Sequence, residues 1–389
     1  MKVLICGAGI AGPTLAYWLD HYGFETTIIE EASGLRTGGY VIDFWGTGFD
    51  VADRMNLLDE IGKRGYPVKE VRVVDRTGRR VTGFPASAFA RATGGRYVSL
   101  PRGDLARLIF GRIEDKVEAI FDDSICNLQE TESSVQVTFA SGVRREFDLV
   151  VGADGLHSRV RDLAFGPEDQ FETFLGYKVA AFGTEGYRPR DELVYVMYTE
   201  IGQQVGRFAM RGDRTMFMFI FADPDLDRGD FAAQKALLRR RFGASGWECA
   251  AILDELDRTD DFYFDRVSQI RMDQWAHGRV VLLGDAAYCV SLLAGQGSAL
   301  AMAGAYILAG ELYRARGDYR LAFARYQALF EPVVRGKQRL ALRFAGSFAP
   351  KSPLSLWVRN RILNLLNIGW IADLAVGRDL ADRIALPNY

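Results

Sequence analysis

Histidine and cysteine are scarce in this chain of 389 residues, which holds three of the first and four of the second. His21, His157 and His277 are far apart in sequence, so a histidine-built metal site is not expected. Cys6, Cys126, Cys249 and Cys289 make no C-x-x-C pair, which argues against a zinc site and against a disulfide framework. Cys6 falls in an apolar run and reads as a small core residue. An excess of one charge is also missing. The 48 basic and 50 acidic residues leave a net charge of −2, so no basic surplus exists to neutralise the phosphates of a nucleic acid. Internal repeats and low-complexity tracts are absent.

An uninterrupted apolar run long enough for a membrane span is lacking as well. The stretch from Val3 to Leu19 is apolar but broken by glycines, and the polar Asp20-His21-Tyr22-Gly23 ends it as a helix ends. The tail from Pro353 to Asp382 carries Trp357, Ile362, Leu365, Leu366, Trp370 and Ile371, yet Arg359, Arg361 and Gly369 interrupt it. It reads as helical and as packed across a domain junction, with a membrane-surface position as the alternative. Without an export signal, a cytoplasmic protein is expected. An apolar content of 49% is ordinary for a soluble globular chain, and the length implies two domains.

What is present starts at the N-terminus. Val3-Leu4-Ile5-Cys6 is a strand candidate, and Gly7-Ala8-Gly9-Ile10-Ala11-Gly12 follows it as G-x-G-x-x-G, leading into a helix. Gly7 permits the tight turn, Gly9 lets a pyrophosphate approach the backbone, and Gly12 lets helix and strand pack closely. The helix N-terminus at Ala11 offers free N–H groups and a partial positive charge to phosphates. A second apolar run, Thr26-Thr27-Ile28-Ile29, ends in Glu30, about 20 residues on, where a Rossmann unit places the acid that bonds a ribose. Strand, glycines, helix and acid together predict a bound dinucleotide.

Three later segments decide which one. Asp148 to Gly155 reads as a strand running into an Asp-Gly turn, followed by Leu156-His157-Ser158-Arg159-Val160-Arg161. Arg279 to Ala287 reads as a strand ending in Gly284-Asp285. Leu100-Pro101-Arg102-Gly103-Asp104-Leu105 opens a helix with an arginine in its first turn. Taken singly, Asp154 fits an ordinary turn and Asp285 a helix N-cap. At the ends of two strands behind a Rossmann start, the pair reads as functional. His157, in the turn region, reads as structural, and His21 and His277 as surface or loop residues.

On these residues the chain resembles the class A flavoprotein aromatic hydroxylases, the para-hydroxybenzoate hydroxylase superfamily. Within it the chain is most similar to the tetracycline-inactivating flavin monooxygenases. That finer likeness rests on Gly12-Pro13 with Ala16-Tyr17-Trp18-Leu19, Asp261 to Asp265, Gly284 to Cys289, Gly304 to Leu312 and Leu386-Pro387. The resemblance implies FAD as cofactor, NADPH or NADH as a transient co-substrate, and O2 as oxidant. It implies that Gly7, Gly9, Ala11 and Gly12 hold the FAD pyrophosphate, Glu30 the adenosine ribose, and that Arg102 touches the cofactor. Asp154 and Gly155, with Arg161 nearby, would sit where flavin chain and nicotinamide meet. Gly284 and Asp285 would bond the ribityl or pyrophosphate part. Gly295, Gln296 and Gly297 would bring a helix N-terminus to the flavin pyrimidine ring, where reduced flavin carries negative charge. The family has a proline before this glycine pair and an asparagine after it; here Leu292 and Ala299 stand in those places.

The expected fold is α/β: a Rossmann-type FAD-binding domain with an inserted β-sheet substrate domain and a C-terminal helix. Residues 1–70, 95–170 and 265–345 form the discontinuous FAD part, 71–94 and 171–264 the substrate part, and 346–389 the C-terminal helical segment. Strand-like runs cover Leu193–Tyr198, Gln204–Met210 and Met216–Phe221, and helical ones Asp230–Arg241 and Gly246–Leu256. Alternation puts Phe217, Phe219 and Phe221 on one face. A packed core is the favoured reading of that face, since a sheet needs one buried side; an apolar wall for a ring substrate is the alternative. Gln204 and Arg207 are candidates for polar substrate contacts.

The resemblance implies a monooxygenase acting on a small aromatic or polyketide-like substrate, with the tetracycline type among the candidates, through a flavin C4a-hydroperoxide. No residue stands out as a base, and no second G-x-G-x-x-G exists for the nicotinamide cofactor. Leu292 and Ala299 keep open a flavin dehydrogenase or reductase, and a non-catalytic FAD protein that sequesters a ligand is a third reading. A monomer or homodimer is expected.

Overall fold

The structure, a computed structural model, describes residues 1–35, 40–227, 229–259, 262–365 and 385–389. Asp261 of the quoted motif and residues 366–384 of the tail lie outside the described residues.

One sheet has the strand order Ala276–His277, Val280–Leu282, Leu149–Gly152, Lys2–Cys6, Glu25–Glu30, Glu118–Phe121. Its pairs are parallel except the outermost Ala276–His277 with Val280–Leu282. Parallel strands are covered on both faces, and the sequence shows it: Val3, Leu4, Ile5, Leu149, Val150 and Val151 are fully buried. Burying each such side chain contributes about 1.5–3 kcal/mol. The helix Ala11–His21 buries Leu15, Ala16, Trp18 and Leu19, and the long helix Gly297–Arg314 is buried along nearly its whole length.

A second sheet of seven strands has the order Tyr263–Ile270, Glu172–Glu185, Arg214–Ala222, Gln203–Ala209, Val194–Glu200, Glu70–Val74, Arg80–Pro85. Its register fixes which side chains share a face. Val196, Val205, Phe217, Phe219 and Phe221 lie under the helices Phe231–Phe242 and Cys249–Asp257, where Leu238, Phe242, Ile252 and Leu256 meet them. Phe219 packs edge-on against Phe242 at 4.9 Å between ring centres. The opposite face meets Leu292 and Leu293 at one end and Tyr66 at the other.

The helix Tyr319–Phe348 leads to a last described helix, Pro353–Leu365, which crosses the second sheet. Thr82 donates to Asn364 Oδ1 at 2.6 Å, and Arg359 Nη2 donates to Gln204 Oε1 at 2.9 Å. The closing residues return to the helices Thr47–Arg54 and Gly297–Arg314, where the Pro387 carbonyl accepts from Arg54 and from the Tyr306 hydroxyl at 2.9 Å each. Among the described residues no helix is long and apolar enough to cross a membrane.

Candidate active site

Four neighbouring parallel strands end on the same edge of the first sheet. Leu282 leads into Gly284-Asp285, Gly152 into Asp154-Gly155, Cys6 into the glycine loop, and the fourth ends at Glu30. Ligands of open α/β sheets bind outside these carboxyl ends. The motifs, scattered over 280 residues of sequence, therefore converge through strand order alone.

The glycines have steric reasons. Gly7 has φ +106°, and a Cβ there would stand 2.5 Å from the Ala153 carbonyl oxygen. A Cβ on Gly12 would lie 2.0 Å from the Gly7 oxygen, so helix and loop could not approach as they do. Around Gly9 there is room, its nearest neighbour being the Arg102 guanidinium at 3.6 Å. Arg102 opens the helix Arg102–Phe110, and its N–H donates to the Tyr40 carbonyl at 3.1 Å. A cation thus stands beside the one glycine whose backbone remains open, which suits a pyrophosphate.

Glu30 accepts from the backbone N–H groups of Ala8 at 2.7 Å and Ala32 at 3.1 Å, fixing the carboxylate to the glycine loop. Asp154 accepts from Ser158 Oγ at 2.6 Å and Val160 N–H at 3.0 Å, and burial raises its pKa against those bonds. Asp285 is raised too, by burial, with Arg102 opposing. Gly284, at φ +67°, packs on Ala11, and the Asp285 carboxylate lies 3.7 Å from a Cβ placed on Gly297. Gln296 is buried at the start of the helix Gly297–Arg314, and Gly295, at φ +65°, faces Trp45. Close contacts link these residues to one another, and the donors, the acid at the second strand and the open Gly9 fit an FAD.

Arg161 differs from its expected part. It is fully buried, and its guanidinium donates to the carbonyls of Ala286 and Leu156 and to Glu168. It ties the Asp154 turn to the Asp285 turn from behind. His157 bridges Glu168 at 2.9 Å and Asp265 at 3.0 Å, joining that turn to the second sheet.

The substrate candidates separate. Phe217 and Phe219 are core under the two helices, the favoured reading of that face, and their alternative part as substrate candidates is corrected; alternation sends them to the covered face. Arg207 is on that face too, paired with Asp191 and with Glu248 at 3.0 Å. Gln204 lies on the open face. There, register aligns Met197 with Gly206 and Gly206 with Met218. All three are only half-buried in the middle of a sheet, which marks an open floor. Met218, Ile220, Leu292 and Leu293 share one apolar cluster, so this floor adjoins the loop leading to Gly295.

Sequence reasoning missed a polar group beside the floor. Asp43 accepts from Tyr97 at 2.7 Å and Ser99 at 2.6 Å across the paired strands Val41–Trp45 and Tyr97–Pro101. Tyr195, two residues from Met197 on the same face, shares a hydrogen bond with Ser99. Burial raises Asp43 despite its two donors, and raises the Tyr97 phenol as well. No sequence signal joins residues 54 apart except the strand pairing itself.

The substitutions at 292 and 299 have local accommodations. Ser291 takes φ +94° and accepts from Leu293 N–H at 3.3 Å, shaping the loop without proline. Ala299 stands 2.5 Å, at its Cα, from a Cβ placed on Gly48, so two helices cross closely there.

The comparisons agree with this geometry. The FAD binding domain family matches residues 1–318. A flavin-dependent monooxygenase from an unknown prokaryotic organism is 36% identical over 392 residues, covering 100% of this chain and 99% of the relative. An uncharacterised protein of Mycobacterium tuberculosis is 42% identical over 347 residues, covering 87% and 92%. The crystal structure of the tetracycline destructase Tet(55) superposes with a TM-score of 0.85 at 34% identity, over 100% of this chain and 98% of that one. The chain belongs to the FAD-binding-domain family and is an FAD-dependent monooxygenase of the class A type.

Proposed function

We propose that this enzyme uses NADPH or NADH and O2 to hydroxylate an aromatic or polyketide-like ring, with tetracycline-type fused rings as the first candidates. The observation that carries the reading is the edge where four strand ends converge, set against the open Met197–Gly206–Met218 floor. FAD, when bound, supplies the redox chemistry: it accepts a hydride and activates O2 for transfer of one oxygen atom.

The chain's own residues do the rest. The N–H groups behind Gly7, Gly9 and Gly12 and the Arg102 guanidinium hold the pyrophosphate, and Glu30 the ribose. Asp154, Gly155, Gly284 and Asp285 line the path of the flavin chain. The N-terminus of Gly297–Arg314 favours negative charge on the ring it faces. Trp45, Leu292 and Leu293 keep water from the reacting edge. Asp43 is the proton acceptor of this pair: Tyr97, which donates to it, relays a phenolic substrate's proton by passing its own hydroxyl proton to the carboxylate as it takes up the substrate's.

The test is NADPH oxidation by FAD-loaded protein under 18O2, with and without phenols and tetracyclines, and mass spectrometry of the products. Substrate-stimulated oxidation with gain of one labelled oxygen atom is expected. Stimulated oxidation whose products never gain oxygen would reject the reading.

A further inference from the structure

Arg359 sits in the last described helix, 155 residues from its partner Gln204. Nη2 donates to Gln204 Oε1, which also accepts from the Thr199 hydroxyl at 3.1 Å. Nη1 is buried, and among the described residues it meets no hydrogen-bond partner and no carboxylate pairs with Arg359. Burial pulls its pKa down to about 10. A guanidinium held among neutral groups is costly unless something balances it.

Its position says what that could be. Gln204 lies on the open face, two residues from Gly206 in the floor. Its cross-strand neighbour is Ile220, which belongs to the cluster holding Leu292 and Leu293. The guanidinium therefore stands at the rim of the floor, on the side away from Asp43 and Tyr97, whose link to the sheet runs through Tyr195. Ligand clefts are largely apolar, with few polar groups that fix orientation. Here the floor is two methionines and a glycine, and Arg359 is the cation beside it.

We propose that Arg359, oriented by Gln204, is the substrate's anion anchor, so that the oxidised ring carries an ionised oxygen, as a carboxylate or an acidic enol, on the side turned to the C-terminal helix. This rests on reading the floor as the substrate site. A planar guanidinium pairs with either group through parallel N–H donors. Gln204 is then a positioning residue, and the helix contributes to specificity.

Binding is tested without turnover, on FAD-loaded protein lacking a nicotinamide cofactor, by titration of the flavin absorbance. The probes are matched: 3-hydroxy-2-naphthoate against 2-naphthol for the carboxylate, and 4-hydroxycoumarin against coumarin for the acidic enol. Wild type is expected to bind an anionic probe at least about tenfold more tightly than its neutral match. Arg359→Met should erase that preference and leave the neutral probes unchanged, while Arg359→Lys retains part of it. Arg359→Gln, which keeps a hydrogen bond to Gln204, serves if the methionine variant loses FAD. The pair that shows the preference identifies the anion. No preference in wild type for either anion, or a preference surviving Arg359→Met, overturns the proposal. Neither result depends on oxygen transfer, so failure here and failure of the monooxygenase reading are separable.

Discussion

Raising the pH should unfasten His157. Its Nδ1 is 2.9 Å from Glu168 and its Nε2 3.0 Å from Asp265, so the protonated ring donates to two carboxylates at once. Arg161 and Arg266 also meet Glu168, and the Tyr263 hydroxyl faces Asp265 at 3.5 Å. Burial pulls the histidine pKa down, but the bonds to Asp265 and Glu168 outweigh it and leave it raised from 6.5 to about 9. A pKa raised on folding stabilises fully below the unfolded value and loses that contribution as pH climbs through the folded one. The window is therefore 6.5 to about 9. At 1.36 kcal/mol per pH unit the ceiling is about 3.4 kcal/mol. The side chain is 32% exposed, and solvent screening reduces this to about 1–2 kcal/mol. The measurement is urea denaturation of FAD-loaded wild type and His157→Gln at pH 6 and pH 9.5. Wild type should be the more stable by about 1–2 kcal/mol at pH 6, and the gap should close at pH 9.5. A gap equal at both values would show that the ring acts through packing and refute the argument.

Gly12→Ala should abolish FAD retention, since its Cβ would fall 2.0 Å from a backbone oxygen that cannot give way; a flavin stoichiometry equal to wild type in the purified variant would contradict this. Phe219→Ala should cost about 3–5 kcal/mol in unfolding experiments and leave substrate KM unchanged, while Met218→Ala should raise KM at small cost in stability. The reverse pattern would mean that the assignment of the two faces is inverted.

That the glycine loop, Glu30, Asp154 and Asp285 fall at strand ends was legible in sequence because each is tied to a local requirement. A positive φ or a close backbone approach needs glycine, and an acid at a strand end needs only the strand to be recognised. Arg161 shows where this stops. It follows the Asp-Gly turn as a cofactor contact would, yet its helix turns it inward to two carbonyls and Glu168, a direction that sequence spacing does not give. Asp43 with Tyr97, and Gln204 with Arg359, are brought together by strand pairing and by a helix crossing a sheet, and no local pattern encodes either. The faces of the second sheet were ambiguous for another reason. Both are apolar, because one packs on helices and the other carries the floor and meets Tyr66, Leu292 and Leu293, so the strand Arg214–Ala222 reads as a continuous apolar run without the polar alternation that marks an outside. Parity alone still constrains it. Gln204 and Arg207 are three residues apart in one strand, and a period of two sends them to opposite faces, so one ligand could never have met both. Gln204 meets Thr199 from its own sheet and Arg359 from the C-terminal helix, so its surroundings depend on a residue far outside the motifs that point to the cofactor.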